Sequence, residues 1–210
     1  MFKNRTDAGK QLAQKLQSYK NKDVVVVSIP RGGLPLGAIV ANSLNVPLDV
    51  ILTKKISHPL NKEFGIGAVG LGHKFITDSV DATMSYIEEE TRRIRSILRQ
   101  LQDEYYKNIS PRNLRDKIVI IVDDGIATGS TMLAAVALIK DKQPAKIIIA
   151  VPVASLAAIE KLNNSSSVDE VICLHIQRHF QAISQFYNEF NPIVDQKAIQ
   201  ILEEANKQLT

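Results

Sequence analysis

The sequence predicts an α/β protein with a central, mostly parallel five-stranded sheet flanked by helices, and three observations predict it. Five short apolar runs recur along the 210 residues, and the stretches between them carry apolar residues at helical spacing. The runs do not alternate apolar with polar, which marks strands covered on both faces. Successive β and α segments of this kind wind right-handed around one sheet.

The first strand is predicted over 24–29 (VVVVSI), a β-branched run too apolar for a half-exposed edge. Further strands are predicted over 48–53, 118–122, 147–151 and 171–174. Ahead of them, Ala8, Leu12, Ala13 and Leu16 recur at helical intervals and predict a helix over 6–19. Helices are also predicted over 34–44, 84–106, 131–140, 156–162 and 197–207. In the long one, Ile87, Ile94, Leu98 and Leu101 form the buried stripe. Glu88 with Arg92, and Glu89 with Arg93, make i,i+4 pairs on a solvated face. Four glycines in 65–72 (GIGAVGLG) break the alternation and predict a flexible hairpin beside a mobile loop.

Composition narrows the function classes. With 45% hydrophobic and 23% charged residues the chain is an ordinary globular one, long enough for a single domain over 1–210 and too short for two large ones. A net charge of +4 attracts anions without the density of a dedicated nucleic-acid module. Cys173 is the single cysteine, which excludes an intrachain disulfide and a cysteine metal cluster. No apolar run approaches the roughly 20 residues that span a bilayer, and the first ten residues lack a signal-peptide core, so a cytoplasmic protein is expected.

The most informative segment is 119–132, VIIVDDGIATGSTM. A buried strand delivers Asp123 and Asp124 at its C-terminal end, and a loop of small and hydroxyl residues then enters a helix, which is where open α/β sheets bind ligands. Backbone N–H groups and the helix dipole suit a phosphate monoester, and Thr128, Ser130 and Thr131 add hydroxyl donors. The loop has no lysine and its glycines do not follow GxGxxG, so neither the NTPase nor the dinucleotide cradle matches. Carboxylates repel phosphate but accept hydrogen bonds from hydroxyls, and a 5-phosphorylated ribose presents a cis-diol beside its phosphate.

Three other segments complete the candidate site. In 28–34 (SIPRGGL), Gly32 and Gly33 permit close backbone approach and Arg31 adds a forked cation, although such a string also makes a plain tight turn. Residues 53–65 (TKKISHPLNKEFG) read as a closing lid that excludes water, with Lys54 and Lys55 able to face a departing anion and Glu63 able to accept a proton. Residues 175–180 and 186–190 gather aromatics that either stack on a planar heterocycle, through Phe186 and Tyr187, or pack in the core. His175 and His179 lack a third ligand for zinc, and Cys173 reads as packing.

On these motifs the chain resembles the type I phosphoribosyltransferases, whose loop for phosphoribosyl pyrophosphate (PRPP) runs from an apolar strand through two acids to small-Thr-Gly and a hydroxyl residue. Residues 131–135 resemble the adenine-type loops. The 5–9 and 151–153 segments, the Arg-Gly-Gly turn and the lid are similar to a bacterial group of stand-alone members. The resemblance implies the type I fold with a small variable hood built from the chain ends. It implies PRPP held by Asp123, Asp124, Gly125, Ile126, Ala127, Thr128, Gly129, Ser130 and Thr131. Pyrophosphate would lie on Pro30, Arg31, Gly32, Gly33 and Lys55, with Lys55 preferred to Lys54 by that likeness. Catalysis would fall to Asp123, Asp124, Arg31, Lys55 and Glu63, with Mg²⁺ as cofactor met by Asp123 and Asp124, directly or through water. Ala127 occupies a slot where some members carry an Asp suggested as the base, so that role has no owner here. The implied reaction transfers phosphoribosyl to a small heterocyclic acceptor, with no membrane or nucleic-acid partner and homodimerisation left open. A regulator on the same fold that senses PRPP or binds nucleic acid is the alternative.

Overall fold

The computed structural model describes residues 1–72, 74–76 and 81–207, apart from the side chains of 62–64. In chain order come α1 (Arg5–Lys15), β1 (Val24–Ser28), α2 (Leu34–Leu44), β2 (Leu48–Val50), β3 (Lys54–His58), β4 (Asn61–Val69) and β5 (Lys74–Ile76). Then follow α3 (Met84–Tyr105), β6 (Ile118–Val122), α4 (Ser130–Lys140), β7 (Lys146–Ser155), α5 (Leu156–Asn163), β8 (Glu170–Gln177) and α6 (Asp195–Lys207).

Five strands form one parallel sheet in the order β2-β1-β6-β7-β8. Alternate side chains explain the continuous apolar runs. Val24, Val26, Ile120 and Val122 face a cluster with α1, α2 and α6, while Val25, Val27, Val119 and Ile121 face a second cluster with α4 and α5. Both faces are thus withdrawn from water, as parallel sheets require. The expected strand at 48–53 pairs only over Leu48–Val50, because the chain leaves there for a second sheet. β7 instead runs four residues beyond its expected end, to Ser155.

The hairpin expected at 65–72 forms, as β4 turns back into β5, and the expected lid supplies a third strand, β3, to make a second sheet. β3, β4 and β5 pair antiparallel in that order, with register shifts between Ile56 and Ser57 and between Ser57 and His58. The cause is tertiary: Ile56, Ile66 and Val69 are buried against Ile87, Ile94 and Leu98 of α3, which gives the strands an apolar face to cover. The charged face of α3 also differs in detail, since Arg93 pairs with Glu90 at 2.7 Å, an i,i+3 contact, rather than with Glu89.

The two chain ends meet over the C-terminal edge of the large sheet. Phe2 N–H donates to the Phe186 carbonyl at 2.8 Å, and Asn188 N–H donates back to Phe2 at 2.9 Å. A short 3₁₀ turn (Ile183–Phe186) lies in this cover. Among the described residues no helix is long and apolar enough to cross a membrane.

Candidate active site

β6 ends at Val122, and the chain then turns through 123–129 into α4. The turn is braced by its neighbour strand. Ile126 N–H donates to Val153 O at 2.9 Å, Ser155 N–H to Ile126 O at 3.0 Å, and Ser155 Oγ–H to Ala127 O at 2.6 Å. Gly129 turns at φ +76°, a conformation that only glycine adopts readily, and Ser130 begins the helix. Ala127, Thr128, Ser130 and Thr131 are exposed, whereas Gly125, Ile126 and Gly129 are buried.

Capping distinguishes the helix starts. Side chains of Asn4, Thr83 and Ser155 cap α1, α3 and α5, but α2 and α4 begin at Gly33 and Gly129 with no side-chain cap. Those two helices follow the two loops that the sequence singled out. The first N–H groups of α4 meet no cap, whereas at α2 Gly33 N–H donates to Ile29 O, Leu34 N–H donates to Arg31 O and Pro35 has none.

The adjacent acids sit differently. Asp123 is half-buried, and its Oδ1 accepts the Asp124 N–H at 2.8 Å. Asp124 is only 6% exposed, and its Oδ2 accepts Arg5 Nε–H at 2.9 Å. The Asp124 carbonyl also accepts the Tyr187 hydroxyl at 2.6 Å. Burial pushes the Asp123 carboxyl well above the usual range, and the Asp124 charge pushes the same way. Burial raises Asp124 too, with Arg5 opposing it. Burial and the Asp124 charge hold the Tyr187 hydroxyl protonated, so it stays a donor.

The 30–33 loop presses directly on these acids. A Cβ on Gly32 would lie 2.1 Å from Asp124 Oδ2, and one on Gly33 would lie 2.6 Å from Val122 O, so a glycine pair is what lets the two loops touch. Arg31 is half-exposed, with Nη1 3.6 Å from Asp195 Oδ2. Arg31, Pro30, Thr53, Lys54, Tyr105 and Asp195 line a cavity of about 460 Å³ beside the loop. A larger cavity of about 520 Å³ opens along β2 and touches neither loop.

Not every expected residue converges here. Lys54 lines the cavity; Lys55, one residue on along β3, does not, because successive strand side chains point to opposite faces. The Glu63 side chain falls outside the described residues. Tyr187 is a buried strut rather than a stacking surface, its ring 5.4 Å from Phe2 and 5.0 Å from Phe190, and Phe186 packs 4.9 Å from Phe180. The Cys173 thiol donates to His175 O and is pushed by burial up to about 11, which disfavours the thiolate. Two basic residues escaped the sequence reading: Arg5, and Lys161 of α5, whose Nζ lies 3.4 Å from Ser130 Oγ. A basic first turn after an Asn cap and a lysine two turns into α5 carry no local signal of either contact.

An uncapped helix start at the carboxyl edge of a parallel sheet, with paired carboxylates beside it, stands where open α/β sheets bind ligands. The comparisons agree: the chain belongs to the phosphoribosyl transferase domain family, whose model matches residues 3–189. A Mycobacterium tuberculosis protein, Rv0571c, whose name provisionally assigns it to the phosphoribosyl transferases, is 34% identical over 214 residues, 99% of this chain and 47% of that one. The chain therefore spans about half the length of that relative. A Mycoplasma genitalium uracil phosphoribosyltransferase is 32% identical over 119 residues, covering 55% of this chain and 54% of that one. Among solved structures, TT1426 from Thermus thermophilus superposes with a TM-score of 0.86 at 35% identity, covering 97% of this chain and 98% of that one. This confirms the type I fold expected from the motifs.

Proposed function

We propose that the chain transfers the 5-phosphoribosyl group of PRPP to a ring nitrogen of a small heterocyclic base and releases pyrophosphate. The observation that carries the reading is the contact of the two loops, with Asp124 lying over Gly32 beside the uncapped start of α4. The 5-phosphate sits on the exposed hydroxyls and amides of 127–131, the ribose diol against Asp123 and Asp124, and the pyrophosphate on the 30–33 loop. As the C1–O bond breaks and the N–C1 bond forms, positive charge grows on the sugar beside the two acids. Negative charge grows on the leaving group, where Arg31, Lys54 and loop amides stabilise it. The proton that the acceptor nitrogen loses passes to solvent or to the released pyrophosphate, since Ala127 offers no acid or base.

The donor set suits a magnesium ion that arrives on the substrate. Two carboxylates stand side by side, one of them already paired with Arg5, and among the described residues no cluster of three ligating side chains forms a cage. Mg²⁺ is commonly held by one or two carboxylates plus substrate phosphates, and when bound it would neutralise leaving-group charge.

Incubation with PRPP, Mg²⁺ and a panel of purines, pyrimidines and related heterocycles tests this, with pyrophosphate release as the readout. Uracil belongs in the panel because one partial relative bears its name. Release with at least one base is expected. PRPP binding without release for any base would replace transfer by PRPP sensing, and absence of PRPP binding would reject both.

A further inference from the structure

We propose that Arg5 is a positioning residue for the sugar: it fixes the Asp124 carboxylate against the 30–33 loop, so that the ribose diol meets two acids already set in place. This deepens the PRPP-dependent reading above and rests on it. Arg5 is itself held on three sides. Nε donates to Asp124 Oδ2 at 2.9 Å, Nη1 donates to the Asn191 carbonyl at 2.8 Å, and the guanidinium lies 3.8 Å from the centre of the Phe190 ring. Only 13% of its side chain is exposed. It starts α1, more than a hundred residues from the acids it serves, and the chain-end cover supplies both of its other contacts.

Two neighbouring carboxylates repel each other and turn apart unless a cation holds one of them. The planar guanidinium, anchored by the Asn191 carbonyl and the Phe190 ring, holds its Nε–H in a fixed direction toward Asp124 Oδ2, which a flexible ammonium does less well. Asp123 is oriented by its own backbone bond to Asp124 N–H, so Arg5 completes the orientation of the pair. Tyr187 holds the Asp124 backbone from the same cover, leaving the Arg5 contact to set the side chain.

The test measures binding of two phosphate esters by calorimetry with the whole chain, in Arg5→Gln and Arg5→Lys variants checked for folding by circular dichroism. Ribose 5-phosphate carries the diol; tetrahydrofurfuryl phosphate keeps the ring and the phosphate but has no hydroxyls. The wild-type protein should favour ribose 5-phosphate. Arg5→Gln should weaken that ligand about tenfold, as expected for a lost charge-assisted contact, and change the diol-free ester less than about twofold. Arg5→Lys should fall between, and it carries the comparison alone if Arg5→Gln does not fold. Equal losses for the two esters, or none, would overturn the positioning role while leaving the sugar site standing. A wild-type protein that does not distinguish the two esters would instead remove the diol assignment, and the role of Arg5 with it.

Discussion

Arg5 and Arg31 both stand beside a carboxylate at the same edge of the sheet, yet they are built for different work. Arg5 is 13% exposed, 2.9 Å from Asp124 and backed by an aromatic ring, whereas Arg31 is 52% exposed and 3.6 Å from Asp195. The first is part of the frame, and its loss changes where an acid points. The second is loosely tethered in water, where an ion pair contributes about 0 to 1 kcal/mol to stability, so it can leave Asp195 for an incoming anion. The loops around them follow the same division. The 123–129 turn is pinned by β7 through Val153 and Ser155, while Lys54 reaches the cavity from a separate three-stranded sheet.

The sharpest way to test the frame is Asp123→Asn. The side-chain oxygen that accepts Asp124 N–H is kept, but the charge beside the diol is lost. PRPP affinity should fall about a hundredfold, within the range of one hydrogen bond to a charged acceptor. Stability should move the other way. Because the folded-state carboxyl is raised well above its usual range, folding favours the neutral form, and that contribution is lost as pH rises through the raised value. The amide is neutral throughout, so at pH 7 the variant should melt about 2–4 °C above the wild-type protein for each kcal/mol relieved. The gap should close as the pH is lowered and the wild-type carboxyl takes up its proton. Thermal melts across pH check this; a variant that melts lower at pH 7 would show that the Asp123 charge is stabilising, and the frame argument would fail.

Arg31→Ala tests the other half of the comparison. Affinity for inorganic pyrophosphate should drop about tenfold, as for one charge-assisted hydrogen bond lost, with ribose 5-phosphate nearly unaffected. The melting temperature should barely change, since the pair with Asp195 is half-exposed. Parallel calorimetry with the two ligands decides it: equal losses would mean that the 30–33 segment is a structural turn.

The same division governs how much could be read from the residues. The parallel sheet was legible because every residue from Val24 to Val27 is apolar, and each face turned out to have its own cluster. The 123–131 loop was legible because Asp-Asp, Gly129 and the hydroxyls lie together in sequence, and local spacing dictates a local turn. The small sheet was legible only as the hairpin at 65–72. Its third strand and its packing were not, because Ile56, Ile66 and Val69 acquire a buried face only when α3 presents Ile87, Ile94 and Leu98 to cover them. Nor was the role of Tyr187, whose aromatic ring suggested stacking on a base until its hydroxyl was found on the Asp124 carbonyl. Contacts such as Arg5 with Asp124 join residues 119 apart, and no periodicity encodes them.

Lys161 offers the smallest and most discriminating effect. Its ammonium lies on the exposed flank of α5, 3.4 Å from Ser130 Oγ, and supplies the positive charge that the 123–131 loop does not contain. An exposed cation near a dianion is screened by salt over roughly 8–10 Å at ordinary ionic strength, unlike the amides and hydroxyls that hold the ligand at contact. Lys161→Gln should therefore weaken ribose 5-phosphate about threefold in dilute buffer and leave stability unchanged, in keeping with the weak contribution of exposed charges. In roughly 0.5 M salt the difference should shrink to well under twofold, because the Debye length then falls to about the distance that separates the ammonium from the loop. Calorimetry at the two salt concentrations separates the cases. A loss that persists at high salt would make Lys161 a contact ligand, moving it into the frame beside Arg5, and no loss at either would leave the phosphate to the uncapped start of α4.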